Sequence, residues 1–392
     1  MIPEIMPTYG RAPMAFVKGE GSWLIDADGR RFLDMGGGIA VTALGHAHPR
    51  LIAALTDQAS KLWHTSNLYQ VPNQQALAER LVAETFADTC FFTNSGAEAM
   101  ECAVKVARKH GAAMEPTRNK IICFEGSFHG RTLGMISAAG AEKLTKGFGP
   151  TLPGFVQVVP EDSAALDAVW DDAVAAVVIE PVLGEGGIMP VSDAFLRDLR
   201  ARCDETGALL IFDEIQCGVG RTGRLFAHEW AGVTPDVMAV AKGIGGGFPL
   251  GACLATEAAA AGMVPGTHGS TYGGNPLACA VGLAVLDTVA DDTFLDQVRR
   301  VSGTLRQRLE GLVAAHPDVF ELVRGAGLML GLRCRVPNMD VVNAGYDAGV
   351  LTVPGGDNVV RLLPALNITE AEVTEAVARL DQAAGTVATA AA

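Results

Sequence analysis

The sequence predicts an α/β fold: a large domain built on a mostly parallel sheet flanked by helices, followed by a smaller α+β domain. Three observations carry this. Short apolar runs alternate with helical stretches from about residue 88 to 290, the pattern of buried parallel strands covered on both faces. After Ala290 the pattern changes to a charged amphipathic helix and a few shorter elements. The length, 392 residues, suits about two or three domains at roughly 100–200 residues each.

The elements follow in order. Ser22 to Asp34 holds two short strands around an Asp28-Gly29 hairpin turn. Pro49–Leu62 and Asn73–Phe86 carry helical periodicity, the first with proline near its start. The strands of the large domain are Cys90–Phe92, Lys120–Phe124, Val156–Val159, Val174–Glu180, Ala208–Asp213, Val237–Ala241 and Leu250–Ala255. Helices Gly96–His110 and Asp193–Thr206 lie between them. The smaller domain reads as a helix at Thr293–Leu312, a strand-like stretch at Phe320–Cys334, a helix near Val341–Ala348, a strand at Val359–Leu362 and a last helix from about Glu370.

Composition excludes several functions. Hydrophobic residues make up 49% and charged residues 19%, which is globular rather than disordered. A net charge of −14 argues against nucleic acid or an anionic membrane as main partner, but allows a small anion gripped by local Arg and Lys. No apolar run reaches the roughly 18 residues that span a bilayer; the best, Ala173 to Val182, is interrupted by Glu180. Residues 1–10 lack the features of a signal peptide. The 8 cysteines form no CxxC pair, and several lie in apolar segments. Reduced thiols in a cytoplasmic protein are expected, not disulfides or zinc. His46 and His48 have no neighbouring cluster of ligands, so no metal site is expected.

Ligands of doubly wound sheets sit beyond the carboxyl ends of the strands, so those ends locate the chemistry. They carry Ser95-Gly96-Ala97, Phe128-His129-Gly130-Arg131, Glu180 with Gly184-Glu185-Gly186-Gly187, Asp213 to Gln216, and Lys242. Each has a bland alternative. Ser95 opens a helix, which suits a phosphate at the exposed N–H groups or a plain N-cap. Asp213 could hold a proton on a ring nitrogen, or form a salt bridge or cap. Lys242 could be a Schiff-base nucleophile with lowered pKa, or a lysine reaching for solvent. Phe128 could stack on a flat ring and Arg131 grip a carboxylate, or the two could be core and surface. Together they supply the parts of a pyridoxal-phosphate site.

Competing motifs are weaker. Gly218-Val219-Gly220-Arg221-Thr222-Gly223 matches GxGxxG, but Glu214 to Cys217 separate it from the strand and no clear helix follows. A nucleotide-dependent oxidoreductase would rest on that loop alone. There is no Gly-Lys dipeptide for a P-loop and no Gly-x-Ser for a nucleophile elbow.

The chain resembles the class-III, fold-type-I pyridoxal-phosphate aminotransferases from about Met14 to Gln382. The resemblance is carried by Gly37 to His46, Leu62 to Asn67 and His268 to Ala280 (HGSTYGGNPLACA). The runs are most similar to those of enzymes acting on N-acetylornithine. The resemblance implies that Lys242 forms the Schiff base, Asp213 pairs with the pyridine nitrogen, Phe128 stacks on the ring and Gln216 reaches the ring hydroxyl side. Ser95, Gly96 and Ala97 would hold the phosphate; Thr271 would reach the phosphate in a partner subunit, which implies a homodimer with shared sites, and Ser270 would lie near substrate. Arg131 would bind the distant carboxylate of the donor, and Arg361 the α-carboxylate of 2-oxoglutarate. Glu185 would pair with Arg361 while the donor is bound. The family often has Thr where this chain has Ala97, which removes a hydroxyl but keeps the N–H. The implied layout is an N-terminal segment (1–50) packing with the small domain, a large domain (51–290), a small domain (291–385) and a frayed tail (386–392). Val41, Asn67 and Tyr69 are candidates for the substrate entrance. A sister activity on ornithine, succinylornithine, succinyl-diaminopimelate or 4-aminobutyrate is the nearest alternative; a catalytically silent protein of the same fold is a more distant one.

Overall fold

The computed structural model describes residues 2–391. Strands β1 (Phe16–Glu20), β2 (Trp23–Asp26) and β3 (Arg31–Asp34) form an antiparallel meander that turns at Asp28-Gly29 as expected. Helices α1 (Pro49–Ala59) and α2 (Pro72–Glu84) each begin on a proline, whose missing N–H costs nothing in a first turn.

The central sheet has seven strands: β4 (Thr89–Thr93), β5 (Lys120–Phe124), β6 (Phe155–Val158), β7 (Val174–Ile179), β8 (Leu209–Asp213), β9 (Val237–Val240) and β10 (Gly251–Ala255). Their order is β4-β10-β9-β8-β7-β5-β6. Strands β5 to β9 run parallel, and β10 lies antiparallel to both its neighbours. Alternate side chains serve two cores. Val178 and Ile211 pack with helix α3 (Gly96–Ala112), whereas Ile179 and Phe212 pack with α4 (Asp193–Thr206). Burial on both faces is why these strands read as unbroken apolar runs.

Helices α5 (Pro276–Val289) and α6 (Asp292–Ala315) lead into the smaller unit. The stretch expected as one strand-like segment is a hairpin, β11 (Phe320–Ala326) and β12 (Met329–Cys334), turning at Gly327-Leu328. Helix α7 (Asn338–Ala348) precedes β13 (Val350–Leu351), β14 (Val353–Gly355) and β15 (Val359–Leu362). Strands β11, β12, β15 and β14 form an antiparallel sheet in that order. Strand β13 instead pairs with β3, which stitches the N-terminal meander to this unit. The last helix, α8 (Glu370–Ala391), runs past Gly385, where the sequence suggests a frayed tail, and Val387 packs into the core. No helix among the described residues is long and apolar enough to cross a membrane.

Candidate active site

The carboxyl ends of β5, β7, β8 and β9 converge on a cavity of about 440 Å³. Its lining includes Ser95, Gly96, Ala97, Phe128, Arg131, Asp213, Gln216 and Lys242, residues up to 147 positions apart in the chain (242 − 95). It also includes Val41, His129, Glu180 and Ile215.

Lys242 follows β9 and opens a short 3-10 turn, Lys242–Gly245. Its φ of 48° lies in the left-handed region, a conformation that costs energy for a residue with a side chain and that concentrates at functional sites. Burial lowers the pKa of its amine; the charges of Glu185, Asp213 and Glu180 oppose that, and Arg361 adds to it. The net shift is downward, so the amine gives up its proton more readily than an ordinary lysine.

Asp213 ends β8 and is 2% exposed. Its Oδ2 lies 2.7 Å from His129 Nδ1, and its Oδ1 accepts the Ile215 N–H at 3.0 Å. Burial works against a charged His129, but the hydrogen bond and charge of Asp213, with the charge of Glu180, overcome it and raise the histidine pKa. Asp213 thus faces the cavity with both carboxyl oxygens engaged. Glu180 follows β7, whose register with β8 aligns Ile179 with Phe212 and so sets Glu180 beside Asp213. Burial and the Asp213 charge raise its pKa to about 7, against the pull of His129 and two backbone N–H groups.

Helix α3 points its N-terminus into the cavity. Ser95 acts as N-cap, its hydroxyl accepting the Glu98 N–H at 3.3 Å. The amides of Gly96 and Ala97, at the first two helical positions, have no intrahelical acceptor and suit an anion. A Cβ on Gly96 would sit 2.8 Å from the Ile215 side chain, so only glycine brings the backbone this close. Gln216 Oε1 is buried without a hydrogen-bond partner, an atom that a bound ligand would satisfy. The space it occupies is available because residue 184 is glycine; a Cβ there would lie 2.3 Å from Oε1.

Two arginines flank the chemistry and differ. Arg131 is exposed and its guanidinium lies 5.5 Å from the centroid of the Phe128 ring. Arg361, on β15, is 2% exposed; its Nη1 pairs with the Glu185 carboxylate and its Nη2 donates to the Pro354 carbonyl at 2.9 Å. The pair lies close enough to act on the Lys242 charge.

Some expected residues lie elsewhere. Within one chain, Ser270 and Thr271 do not line the Lys242 cavity; they border a neighbouring cleft with Asn94, Glu98 and Tyr272. Asn67 is spent on the Ser270 and Gly273 carbonyls, and Tyr69 is exposed; of the entrance candidates only Val41 lines the cavity. The loop Gly218 to Gly223 braces the two units: buried Arg221 donates to the carbonyls of Leu328 at 3.1 Å and Pro364 at 2.5 Å. His129 and Glu180 received no role from sequence, although both stood in the strand-end runs. His46, set aside as a metal ligand, pairs with Asp34 at 2.8 Å.

The model of the aminotransferase class-III family matches residues 5–384. The acetylornithine aminotransferase of Rhodobacter capsulatus is 64% identical over 390 residues, covering 99% of each chain. The acetylornithine/succinyldiaminopimelate aminotransferase of Yersinia pestis is 45% identical, covering 98% of this chain and 96% of its own. Among solved structures, the N-acetylornithine aminotransferase of Stenotrophomonas maltophilia superposes with a TM-score of 0.85 at 39% identity, covering 97% of this chain and 98% of the other. The ornithine aminotransferase of Toxoplasma gondii reaches 0.94 at 32% identity, covering 98% and 93%. With its cavity built from the ends of a parallel sheet around Lys242 and Asp213, the chain belongs to the class-III aminotransferases.

Proposed function

We propose that this aminotransferase moves the terminal amino group of N-acetylornithine to 2-oxoglutarate, giving N-acetylglutamate 5-semialdehyde and glutamate in arginine biosynthesis. One observation carries the substrate reading: the site holds one open arginine, Arg131, and one masked by a carboxylate, Arg361. A donor whose carboxylate lies far from its reacting amine can use Arg131 alone. A dicarboxylic keto acid needs Arg361 as well.

Pyridoxal phosphate is the cofactor, and its ring supplies an electron sink for the bond broken at the donor carbon. The cavity fits it: free helix amides at one end, a buried carboxylate at the other, an orphaned Gln216 oxygen and a buried amine. Ser95, Gly96 and Ala97 would hold the phosphate, Phe128 would cover a ring face, and Asp213 would keep a proton on the ring nitrogen. Lys242 would bind the aldehyde carbon, and once released its amine would take the proton from the donor carbon and deliver it to the cofactor's former aldehyde carbon. Glu185 would neutralise Arg361 for the donor and turn away for the keto acid.

Ser270 and Thr271 fit the same reading through a second copy, whose site they would complete in a homodimer. The division into residues 1–50, 51–290 and 291–385 is supported by the three larger sheets. A cytoplasmic location suits eight cysteines that are all unpaired. The name of the Yersinia relative favours succinyl-diaminopimelate as a second donor.

The test is a spectrum of each half-reaction. Purified protein carrying pyridoxal phosphate is mixed separately with N-acetylornithine, ornithine, succinylornithine, succinyl-diaminopimelate and 4-aminobutyrate. Fastest loss of the lysine-bound cofactor band with N-acetylornithine, regained with 2-oxoglutarate, is expected. Preference for another amine keeps the chemistry and replaces the donor.

A further inference from the structure

Glu180 has no part in the chemistry above, yet it is 4% exposed and lines the same cavity as Lys242. Its two oxygens serve different loops. Oε1 accepts the Phe128 N–H at 2.8 Å, and Oε2 accepts the Gly184 N–H at 2.9 Å. The first loop carries Phe128, His129 and Arg131. The second carries Glu185, the partner of Arg361.

The far side of the second loop is tied as well. The Glu185 carbonyl accepts the Gly356 N–H at 2.9 Å, and the Gly187 carbonyl accepts Arg324 Nε at 2.5 Å. The Glu185 backbone is therefore fixed on both flanks. What remains free is its side chain, through which the carboxylate can leave Arg361. When ionised, Glu180 accepts at both ends of the clamp; an amide would turn an N–H towards one of the two N–H groups.

We propose that Glu180 is a positioning residue that ties the Phe128 loop to the Glu185 loop, so that Glu185 leaves and rejoins Arg361 by side-chain rotation on a fixed backbone. This rests on the reading of Glu185 and Arg361 as a switch.

The test uses Glu180→Gln, with Glu185→Gln as control, in the full-length protein. The first readout is amide hydrogen exchange in the cofactor-free form. Exchange at Phe128 or Gly184 should quicken by about tenfold or more, the equivalent of one hydrogen bond to a charged group. The second readout is the ratio of half-reaction rates with N-acetylornithine and with L-glutamate, whose α-carboxylate needs Arg361. Glu180→Gln should shift that ratio towards glutamate, in the direction of Glu185→Gln. A merely structural role would slow both half-reactions by one factor and leave the ratio alone.

Unchanged exchange at both amides overturns the proposal, as does an unchanged ratio in Glu180→Gln beside a shifted one in Glu185→Gln. An unchanged ratio in Glu185→Gln removes the switch reading itself, and the proposal with it. Glu180→Asp, one methylene too short to span both amides, gives the same readouts if Glu180→Gln does not fold.

Discussion

Replacing Arg361 by methionine tests the division of labour between the two arginines. The guanidinium is 2% exposed and its partner Glu185 is 33% exposed, so the pair is shielded on one side only. Truncating one partner of a buried charge pair costs about 2–5 kcal/mol, and half-shielding places this site near the lower end, about 2–3 kcal/mol. At about 1.4 kcal/mol per decade, the second-order rate constant for 2-oxoglutarate should fall roughly 30- to 150-fold. The donor half-reaction meets Arg361 already masked by Glu185, so its loss should stay within about fivefold, less than one decade of rate. Stopped-flow absorbance of each half-reaction, with separately prepared forms of the cofactor, measures both. Arg361→Lys serves as a second variant, since it keeps the charge and loses the planar fork that matches a carboxylate. Equal losses in the two half-reactions would refute the reasoning, because they would mean that Arg361 supports the site as a whole.

Other consequences follow from the same geometry. Lys242→Ala should still bind pyridoxal phosphate, because the phosphate and ring contacts remain, while steady-state turnover disappears; normal turnover would exclude Lys242 as the reacting amine. Burial lowers the Lys242 pKa, so in the cofactor-free protein the amine sheds its proton at lower pH than an ordinary lysine. Reductive labelling by pyridoxal should therefore reach half its maximum below pH 10.5, the ordinary lysine value, as read by mass spectrometry against pH. Asp213→Asn should slow the donor half-reaction by about 100-fold or more, the lower bound of a positioned proton-holding group, with the protein still folded by circular dichroism. Thr271→Val chains, weak alone, and Lys242→Ala chains, inactive alone, should give activity above either when mixed and refolded together, since one site of the mixed dimer is then intact; no recovery would place Thr271 in its own chain's site.

How much of this was legible in sequence depends on where each side chain gets its meaning. The buried strands β7 and β8 were plain, because a run with both faces covered has no polar interruption until its end. Helix α5 was not singled out: most of its faces are buried, and a helix apolar on several sides loses the amphipathic period that marks a surface helix. The hairpin inside residues 320–334 has no clear mark in the sequence, because Gly327-Leu328 lacks the paired turn residues of a strong hairpin signal. Helix α8 continues past Gly385, whose helical cost of about 1 kcal/mol is offset by burial of Val387.

The site divides in the same way. Lys242, Asp213 and Ser95 each stand at a strand or helix end, and Phe128 lies in the loop after one; both are local properties of the chain. The partnership of Glu185 and Arg361 spans 176 positions and had no local sign; it came from resemblance alone. His129 and Glu180 were visible as residues but not as a network, because their neighbour Asp213 is set by strand order, which a single sequence does not state. With that order known, the charged groups sort by what they touch. Asp213, Glu180 and His129 make a buried acidic end that favours a protonated ring nitrogen. Arg131 is open beside Phe128, and Arg361 is buried against Glu185, which masks it. Lys242 lines the same cavity as Asp213 and Glu180, and burial lowers its amine pKa against three carboxylates that favour its charge. An amine in that position can accept a proton, and the masked arginine lets one cavity take two substrates of different charge in turn.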